Sequence, residues 1–105
     1  MLEYVESNLS HDLSLRELSE IADLSLHHFA RMFKQTIGVA PHRYVLERRL
    51  ERAKMMLRSA KASLVDISLS AGFDGQSHFT STFHRMVGAT PTEFQAAYRK
   101  RRNRP

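Results

Sequence analysis

The chain contains no cysteine, only four glycines and three prolines, and no long apolar run. Without cysteine, disulfides and thiolate zinc sites are excluded, and an intracellular compartment is the expected location. No apolar segment approaches the roughly 20 residues that span a bilayer, and the start, Met1-Leu2-Glu3-Tyr4, is not typical of a signal peptide. At 105 residues there is room for one domain or two very small lobes, which leaves little space for a large enzyme pocket.

Charge is distributed unevenly along the chain. The net charge is +5, but residues 1–24 carry six acids and one base, whereas residues 25–105 carry fifteen bases and five acids. Five of those bases fall within Arg99–Pro105. This asymmetry favours a polyanionic partner, nucleic acid above all, for the basic part. The alternative for the basic end is a tail that is simply solvated.

An internal repeat is the most informative feature present. Residues 14–44 recur about fifty positions later, with one extra residue in the second copy. The matched pairs are Ser14 with Ser63, Leu18 with Ile67, Ala22 with Ala71, Phe29 with Phe79, Phe33 with Phe83, Gly38 with Gly88, Pro41 with Pro91, and Tyr44 with Phe94. Because apolar, capping and helix-breaking positions are all retained, the pattern indicates duplication of one supersecondary unit.

Each copy is predicted to begin with a short helix. Ser14-x-x-Glu17 and Ser63-x-x-Asp66 resemble capping boxes, in which each end supplies a hydrogen-bond acceptor for the other. Apolar residues follow both boxes at helical spacing, over about eight residues.

A turn is predicted to separate this helix from a second one. The first helix should stop at Asp23-Leu24 in one copy and at Gly72-Phe73 in the other, where glycine suits a left-handed conformation. Ser25 and Asp74 are the predicted N-caps of the second helices. The repeated unit is therefore interpreted as helix, turn, helix.

The second helix of each copy has an apolar and a polar side. At about 100° per residue, the apolar sides consist of Phe29, Phe33, Thr36 and Ile37 in one copy and of Phe79, Phe83, Met86 and Val87 in the other. The polar sides carry His27, Arg31 and Lys34, flanked by Ala30 and Gln35, and then Gln76, Ser77, Ser81 and His84, flanked by Thr80. Glycines are expected to end both helices, and Pro41 and Pro91 to open the next ones.

Residues 41–58 show no further breaker and predict one linker helix of about 27 Å. That length is comparable with the roughly 34 Å between successive major-groove faces of a duplex. Helices are also expected over 2–9 and 92–98. The prediction is an all-α fold of about seven helices, with a lobe at 1–40, the linker helix at 41–58, a second lobe at 59–99 and a basic tail at 100–105.

Together these features resemble the DNA-binding domain of the AraC/XylS family of bacterial transcription regulators, over nearly the whole chain. The most specific stretches run from Phe29 through Tyr44, and from Ala71-Gly72-Phe73 to Phe94. The resemblance implies two helix-turn-helix lobes whose second helices, the reader helices, enter adjacent major grooves of double-stranded DNA. It also implies a cytoplasmic, nucleoid-associated regulator that recruits or positions RNA polymerase, with no membrane association.

The resemblance also assigns roles to individual residues. The side chains carried over to base edges are His27, Ala30, Arg31, Gln76, Ser77, His78, Thr80 and Ser81. Arg31 suits the O6 and N7 atoms of guanine, and Gln76 suits adenine. The side chains assigned to phosphates are Lys34, Arg48, Arg49, His84 and Arg85. Arg48 is equally compatible with internal bracing. Many family members carry Arg, Lys and Arg where this chain has Ser81, His84 and Gln95, so the second lobe offers less positive charge.

Other classes of function find less support. No histidine pair has metal-site spacing, and no nucleophile elbow, phosphate loop or carboxylate pair is present, so no metal, cofactor or enzyme activity is expected. Two alternatives are binding of DNA without sequence preference through the basic part, and a protein-interaction module whose surface is the acidic residues 1–24. The chain is expected to be either a complete regulator or a fragment of a longer one, without a sensor or dimerisation domain.

Overall fold

The computed structural model describes residues 2–11, 13–59 and 62–102. Seven α-helices and no strand lie within these ranges, which confirms the all-α prediction. The helices are α1 (Leu2–Ser7), α2 (Leu15–Ile21), α3 (Leu26–Ile37), α4 (Pro41–Ser59), α5 (Leu64–Ser70), α6 (Gln76–Val87) and α7 (Pro91–Arg102). Among these described helices, none is both long enough and apolar enough to cross a membrane.

The helices form two compact units, one up to Arg49 and one from Leu50 onward, so that α4 contributes residues to both. The core of the first unit consists of Val5, Leu9, Leu18, Phe29, Phe33 and Val45. The buried apolar residues of the second unit are Leu50, Ala53, Leu57, Ile67, Ala71, Phe73, Phe79 and Phe83. In each unit the helix-turn-helix pair supplies the central aromatic rings of the core.

Serine caps begin three of the helices as the sequence predicts. The hydroxyls of Ser14, Ser25 and Ser63 each accept a hydrogen bond from the backbone N–H three residues later. The Glu17 carboxylate, which the capping-box pattern would direct back to the Ser14 amide, accepts a hydrogen bond from the Tyr4 hydroxyl of α1. This hydrogen bond is the main cause that raises the pKa of Tyr4 above its ordinary value.

The predicted N-cap at Asp74 is wrong. Gly75 occupies the N-cap position of α6, and no side chain caps that helix. The extra residue of the second copy falls in this turn, and it moves the N-cap position one residue beyond Asp74. The first amides of α6 therefore lack the side-chain acceptor that Ser25 supplies to α3.

The turn inside each helix pair uses a left-handed residue at the same place. Asp23 has φ 57° in the first unit, and Gly72 has φ 93° in the second. Glycine adopts this conformation freely, whereas aspartate is among the few other residues that tolerate it. Gly38 and Gly88, with φ 98° and 93°, end α3 and α6 as predicted.

Helix α7 starts with a capping box that the sequence reading missed. The Thr90 hydroxyl accepts from the Glu93 N–H at 3.1 Å, and the Glu93 carboxylate accepts from the Thr90 N–H at 2.8 Å. The helix was expected over 92–98 but runs from Pro91 to Arg102, so the first part of the predicted tail at 100–105 is helical. Residues 103–105 of that tail lie outside the described residues.

The Glu93 contact should make stability depend on pH. The Thr90 N–H is the main cause that lowers the pKa of the Glu93 carboxyl. A lowered folded-state pKa adds stability above the unfolded-state value and loses it as the pH falls through the folded-state value. Because Glu93→Gln keeps an acceptor but does not titrate, the stability advantage of the original chain should be present at about pH 7 and shrink toward about pH 3. Urea denaturation across this range tests it, and a difference that is independent of pH would contradict it.

Truncation of a core ring should strongly destabilise the second unit. Phe83 is fully buried, with a relative exposure of 0%. Phe83→Ala should therefore lower the free energy of unfolding by about 3–5 kcal/mol, the usual cost of emptying an aromatic site. Met55, which is 65% exposed, provides the control, since Met55→Ala should change stability by less than about 0.5 kcal/mol. Chemical denaturation followed by circular dichroism measures both.

Candidate nucleic-acid interface

One side of α3 is fixed to the core by aromatic rings. The Phe29 and Phe33 rings lie 5.7 Å apart, and the Tyr44 ring of α4 meets Phe33 edge-on at 5.5 Å. Both phenylalanines are buried, at 3% and 6% exposure. Ile37 is half-buried on the same side, whereas Thr36, predicted there too, is exposed. With this side occupied, the opposite side of the helix has to face solvent.

The polar side of α3 carries the residues that the sequence assigns to DNA. His27, Arg31 and Lys34 are exposed, and Ala30 is half-buried beside them. The Arg31 Nη2 atom lies 2.8 Å from the His27 Nε2 atom, one helical turn away. The structure thus brings two predicted base-reading side chains into direct contact on the surface of the helix.

Helix α6 is oriented by a longer series of rings. Phe79 meets Phe73 at 5.2 Å and Phe83 at 5.6 Å, and Phe83 meets Phe94 of α7 edge-on at 5.6 Å. Thr82 is also buried on this side, at 4% exposure. The sequence reading did not place Thr82 inward, although its position three residues after Phe79 and beside Phe83 is the signal that would have done so.

The polar side of α6 forms a shallow open groove. Its lining residues are Gln76, Ser77, Thr80 and Ser81, around a volume of about 410 Å³. Thr80 is half-buried and the other three are exposed. The polar groups of this surface are three hydroxyls and one amide, none of them charged. The structure brings four of the five predicted base-reading residues of the second unit together.

The fifth residue, His78, lies at the edge of the core. Its exposed ring meets the Phe73 ring edge-on, with 5.6 Å between the centroids. His84 and Arg85, assigned to phosphates, are exposed in the last turn of α6. The basic character of the second unit's helix pair is thus confined to the end of this helix.

Two further residues assigned to phosphates contact α1 and the turn after it. The Arg48 Nε atom donates to the Glu6 carboxylate at 2.7 Å. Arg49 donates from Nε to the Leu9 carbonyl at 3.1 Å and from Nη2 to the His11 carbonyl at 2.8 Å. Both guanidinium groups therefore brace the N-terminal helix against α4, which is the second of the roles that the sequence left open for Arg48.

Other charges on α4 pair along the helix. Arg43 donates to Glu47 at 2.8 Å with i,i+4 spacing, and Lys54 contacts Glu51 at 3.1 Å with i,i+3 spacing. The Arg58 guanidinium lies over the Phe94 ring, 5.5 Å from its centroid. That contact was not expected, because nothing in the spacing of these two residues indicates it.

The geometry defines a class of protein. In each unit a short helix, a turn with a left-handed residue and a twelve-residue helix follow one another. The longer helix is buried on its aromatic side and polar on its outer side. This is the helix-turn-helix arrangement of DNA-binding domains, present twice.

Comparison with known proteins gives the family. A family model described as a helix-turn-helix domain, of the AraC type, matches residues 18–97 of this chain. The chain belongs to the AraC/XylS family. The probable transcriptional regulator LumQ of Photobacterium leiognathi is 37% identical over 92 residues, which cover 88% of this chain and 37% of that protein. The virulence regulon transcriptional activator VirF of Yersinia enterocolitica is 32% identical over 90 residues, covering 86% and 33%.

Solved structures show the same fold. An AraC-type transcriptional regulator from Chromobacterium violaceum superposes with a TM-score of 0.83 at 34% identity, covering 92% of this chain and 87% of that one. The DNA-binding domain of AdpA, solved in complex with a target DNA, has a TM-score of 0.92 at 25% identity, covering 99% and 94%. The chain spans between 12% and 40% of the length of the first four curated relatives that it matches.

The bracing arginines should matter for stability to different degrees. Arg49→Ala removes two hydrogen bonds from a charged donor to backbone carbonyls, so it should lower the free energy of unfolding by about 1–3 kcal/mol. Loss of the exposed Arg48–Glu6 ion pair in Arg48→Ala should by itself cost only about 0–1 kcal/mol; the two side chains are 40% and 43% accessible. Urea denaturation of both variants measures the difference. Equal, negligible losses would show that neither arginine braces α1.

Proposed function

We propose that this chain is the DNA-binding part of a sequence-specific transcription regulator, in which α3 and α6 each enter one of two adjacent major grooves. The observation that carries this proposal is the pair of helices with a buried aromatic side and an exposed polar side. Membership of the family supports it, as do relatives named as transcriptional regulators and a structural neighbour solved on a target DNA. In this proposal residues 1–40 and 59–99 act as two reading lobes, 41–58 as the linker helix and 100–105 as a basic extension.

The residues of α3 are proposed to read the first groove. Arg31 has the donors to bond the O6 and N7 atoms of guanine, and Ala30 is suited to contact with a thymine methyl group. Lys34, exposed in the last turn of α3, has the charge and position for a phosphate.

The residues of α6 are proposed to read the second groove with uncharged groups. Gln76 suits the N6 and N7 atoms of adenine, while the hydroxyls of Ser77, Thr80 and Ser81 suit several bases. His84 and Arg85 are assigned to phosphates. The α6 N-terminus has no side-chain cap, so its amides are available to a backbone phosphate as well. We assign Arg48 and Arg49 mainly to bracing, on the contacts that they make with α1 and the following turn.

Regulation is proposed to proceed through RNA polymerase. A relative named as a transcriptional activator supports this class of mechanism, in which bound protein recruits or positions the enzyme at a promoter. The working location would then be the bacterial cytoplasm, on the nucleoid.

Arg31→Ala tests base reading. A duplex selected from a random DNA pool with this chain serves as the probe, together with the same duplex carrying one altered guanine pair at a time. Loss of Arg31 should weaken binding to the selected duplex by roughly 5- to 150-fold, the value of one good bidentate contact, and remove discrimination at one guanine position. Fluorescence anisotropy at fixed salt measures both.

Lys34→Ala is the matched control on the same helix. It should weaken binding on every duplex alike and reduce the slope of log affinity against log salt by about 0.9. If Arg31→Ala also produced an equal loss on every duplex, base reading by Arg31 would be refuted, and binding without sequence preference would explain the affinity.

A further inference from the structure

We propose that His27 is a positioning residue for Arg31: it holds the guanidinium ready to meet a base, and this makes recognition sensitive to protonation of the imidazole. The inference rests on the proposed function of α3 and deepens it. Its starting point is the 2.8 Å contact between Arg31 Nη2 and His27 Nε2. The two residues lie four apart on α3, the spacing at which helix side chains face each other.

The protons of this contact can be assigned from chemistry alone. A guanidinium carries five N–H donors and no acceptor, so Arg31 has to donate and the His27 Nε2 atom has to supply a lone pair. His27 is then neutral, with its proton on Nδ1. One donor of Arg31 is used in the contact and four remain, which is enough for the O6 and N7 atoms of a guanine.

Holding Arg31 in place reduces the entropy cost of immobilising its side chain when DNA binds. A free arginine on a helix surface loses rotamer freedom when it binds, and immobilising such a side chain typically costs affinity. A partner that already restricts the guanidinium in the free protein removes part of that cost. The expected gain in affinity for the guanine-containing site is about two- to tenfold.

Protonation of His27 abolishes the contact. In an imidazolium both ring nitrogens are donors, so Nε2 can no longer accept, and two positive charges then face each other. Imidazoles change charge between about pH 5 and 8. Uptake of a proton by the imidazole therefore removes the contact and, with it, the positioning of Arg31.

A carboxylate paired with His27 would offset this repulsion. The charged and titratable groups on α3 and on the elements packed against it are His28, Lys34, Glu3, Tyr4, Glu6, Arg16, Glu17, Glu20, Asp23, His42, Arg43, Tyr44, Glu47, Arg48 and Arg49. Glu17 is engaged by Tyr4, Glu6 by Arg48 and Glu47 by Arg43. Within the part of the chain that the structure describes, none of the carboxylates forms an ion pair with His27.

The first measurement uses the free protein. Long-range proton–nitrogen NMR correlations report which ring nitrogen of His27 carries the proton. We expect the Nδ1–H tautomer in the original chain, and its loss in Arg31→Ala. A predominant Nε2–H tautomer at about pH 8 would overturn the proposal without any reference to DNA.

The second measurement uses the duplex selected from a random pool and its counterpart with the guanine read by Arg31 replaced. At about pH 8, His27→Ala should weaken binding to the selected duplex about two- to tenfold and leave the counterpart almost unchanged. His27→Gln, whose amide oxygen can accept from Arg31 and does not titrate, should restore the affinity. His28→Ala, an exposed neighbour on the same helix, is the control and should have no such effect.

The pH profile and a double-mutant cycle complete the test. Between about pH 8 and about pH 5.5, discrimination between the two duplexes should fall in the original chain and stay constant in His27→Gln.

The double-mutant cycle adds His27→Ala to Arg31→Ala, and the second substitution should leave the affinity for both duplexes unchanged. Additive losses from the two substitutions would overturn the proposal, because His27 would then act on DNA by itself. If Arg31→Ala weakened binding to both duplexes equally, base reading by Arg31 would be refuted. The His27 tautomer would still show whether the contact between His27 and Arg31 exists.

Discussion

The burial of aromatic rings along one side of α3 and of α6 is the constraint on which the rest of the structure depends. In each unit two phenylalanines four residues apart meet each other and an aromatic ring of the following helix, with centroid separations of 5.5–5.7 Å. Aromatic pairs at such distances add to the free energy already gained by burying the rings. Because these rings fix the rotation of each helix about its axis, they also determine which residues face solvent.

Arginines on α4 serve the fold as well as the charge balance. In the first unit, Arg48 and Arg49 connect α4 to Glu6 and to the carbonyls of Leu9 and His11. In the second unit, the Gln95 side chain donates to the Leu57 carbonyl at 2.9 Å. Both units thus use a long polar side chain to satisfy backbone carbonyls: in the turn after α1 in the first unit and in the last turn of α4 in the second, where intrahelical partners run out.

Most of the fold could be predicted from local signals in the sequence. Serine caps, glycine ends and phenylalanines at i,i+4 are local features, and they specified the helices and, except at Thr36 and Thr82, the buried sides of α3 and α6. The N-cap of α6 was predicted wrongly because the repeat contains one extra residue there, and Asp74 and Gly75 are both acceptable caps. The extension of α7 to Arg102 was missed because a run of like charges suggested a tail rather than a helix.

The candidate site was harder to predict in its contacts than in its residues. Periodicity alone placed Arg31 and Ser81 outward, and the structure agrees. It could not distinguish an arginine that faces solvent from one that bonds α1, because the partners of Arg48 and Arg49 lie about 40 residues away in sequence. The contact of His27 with Arg31 follows from i,i+4 spacing, but only the structure gives the atoms involved.

The repeat has a consequence for how such a protein changes over generations. The two copies share their buried residues, yet corresponding outward positions carry His27 and Arg31 in one and Ser77 and Ser81 in the other. Exposed positions of this kind contribute little to stability, so substitutions there leave the packing of the interior unchanged. Under the proposed function, substitutions on the outer side of one copy would change the sequence that this copy prefers and leave the contacts of the other copy with DNA as they were.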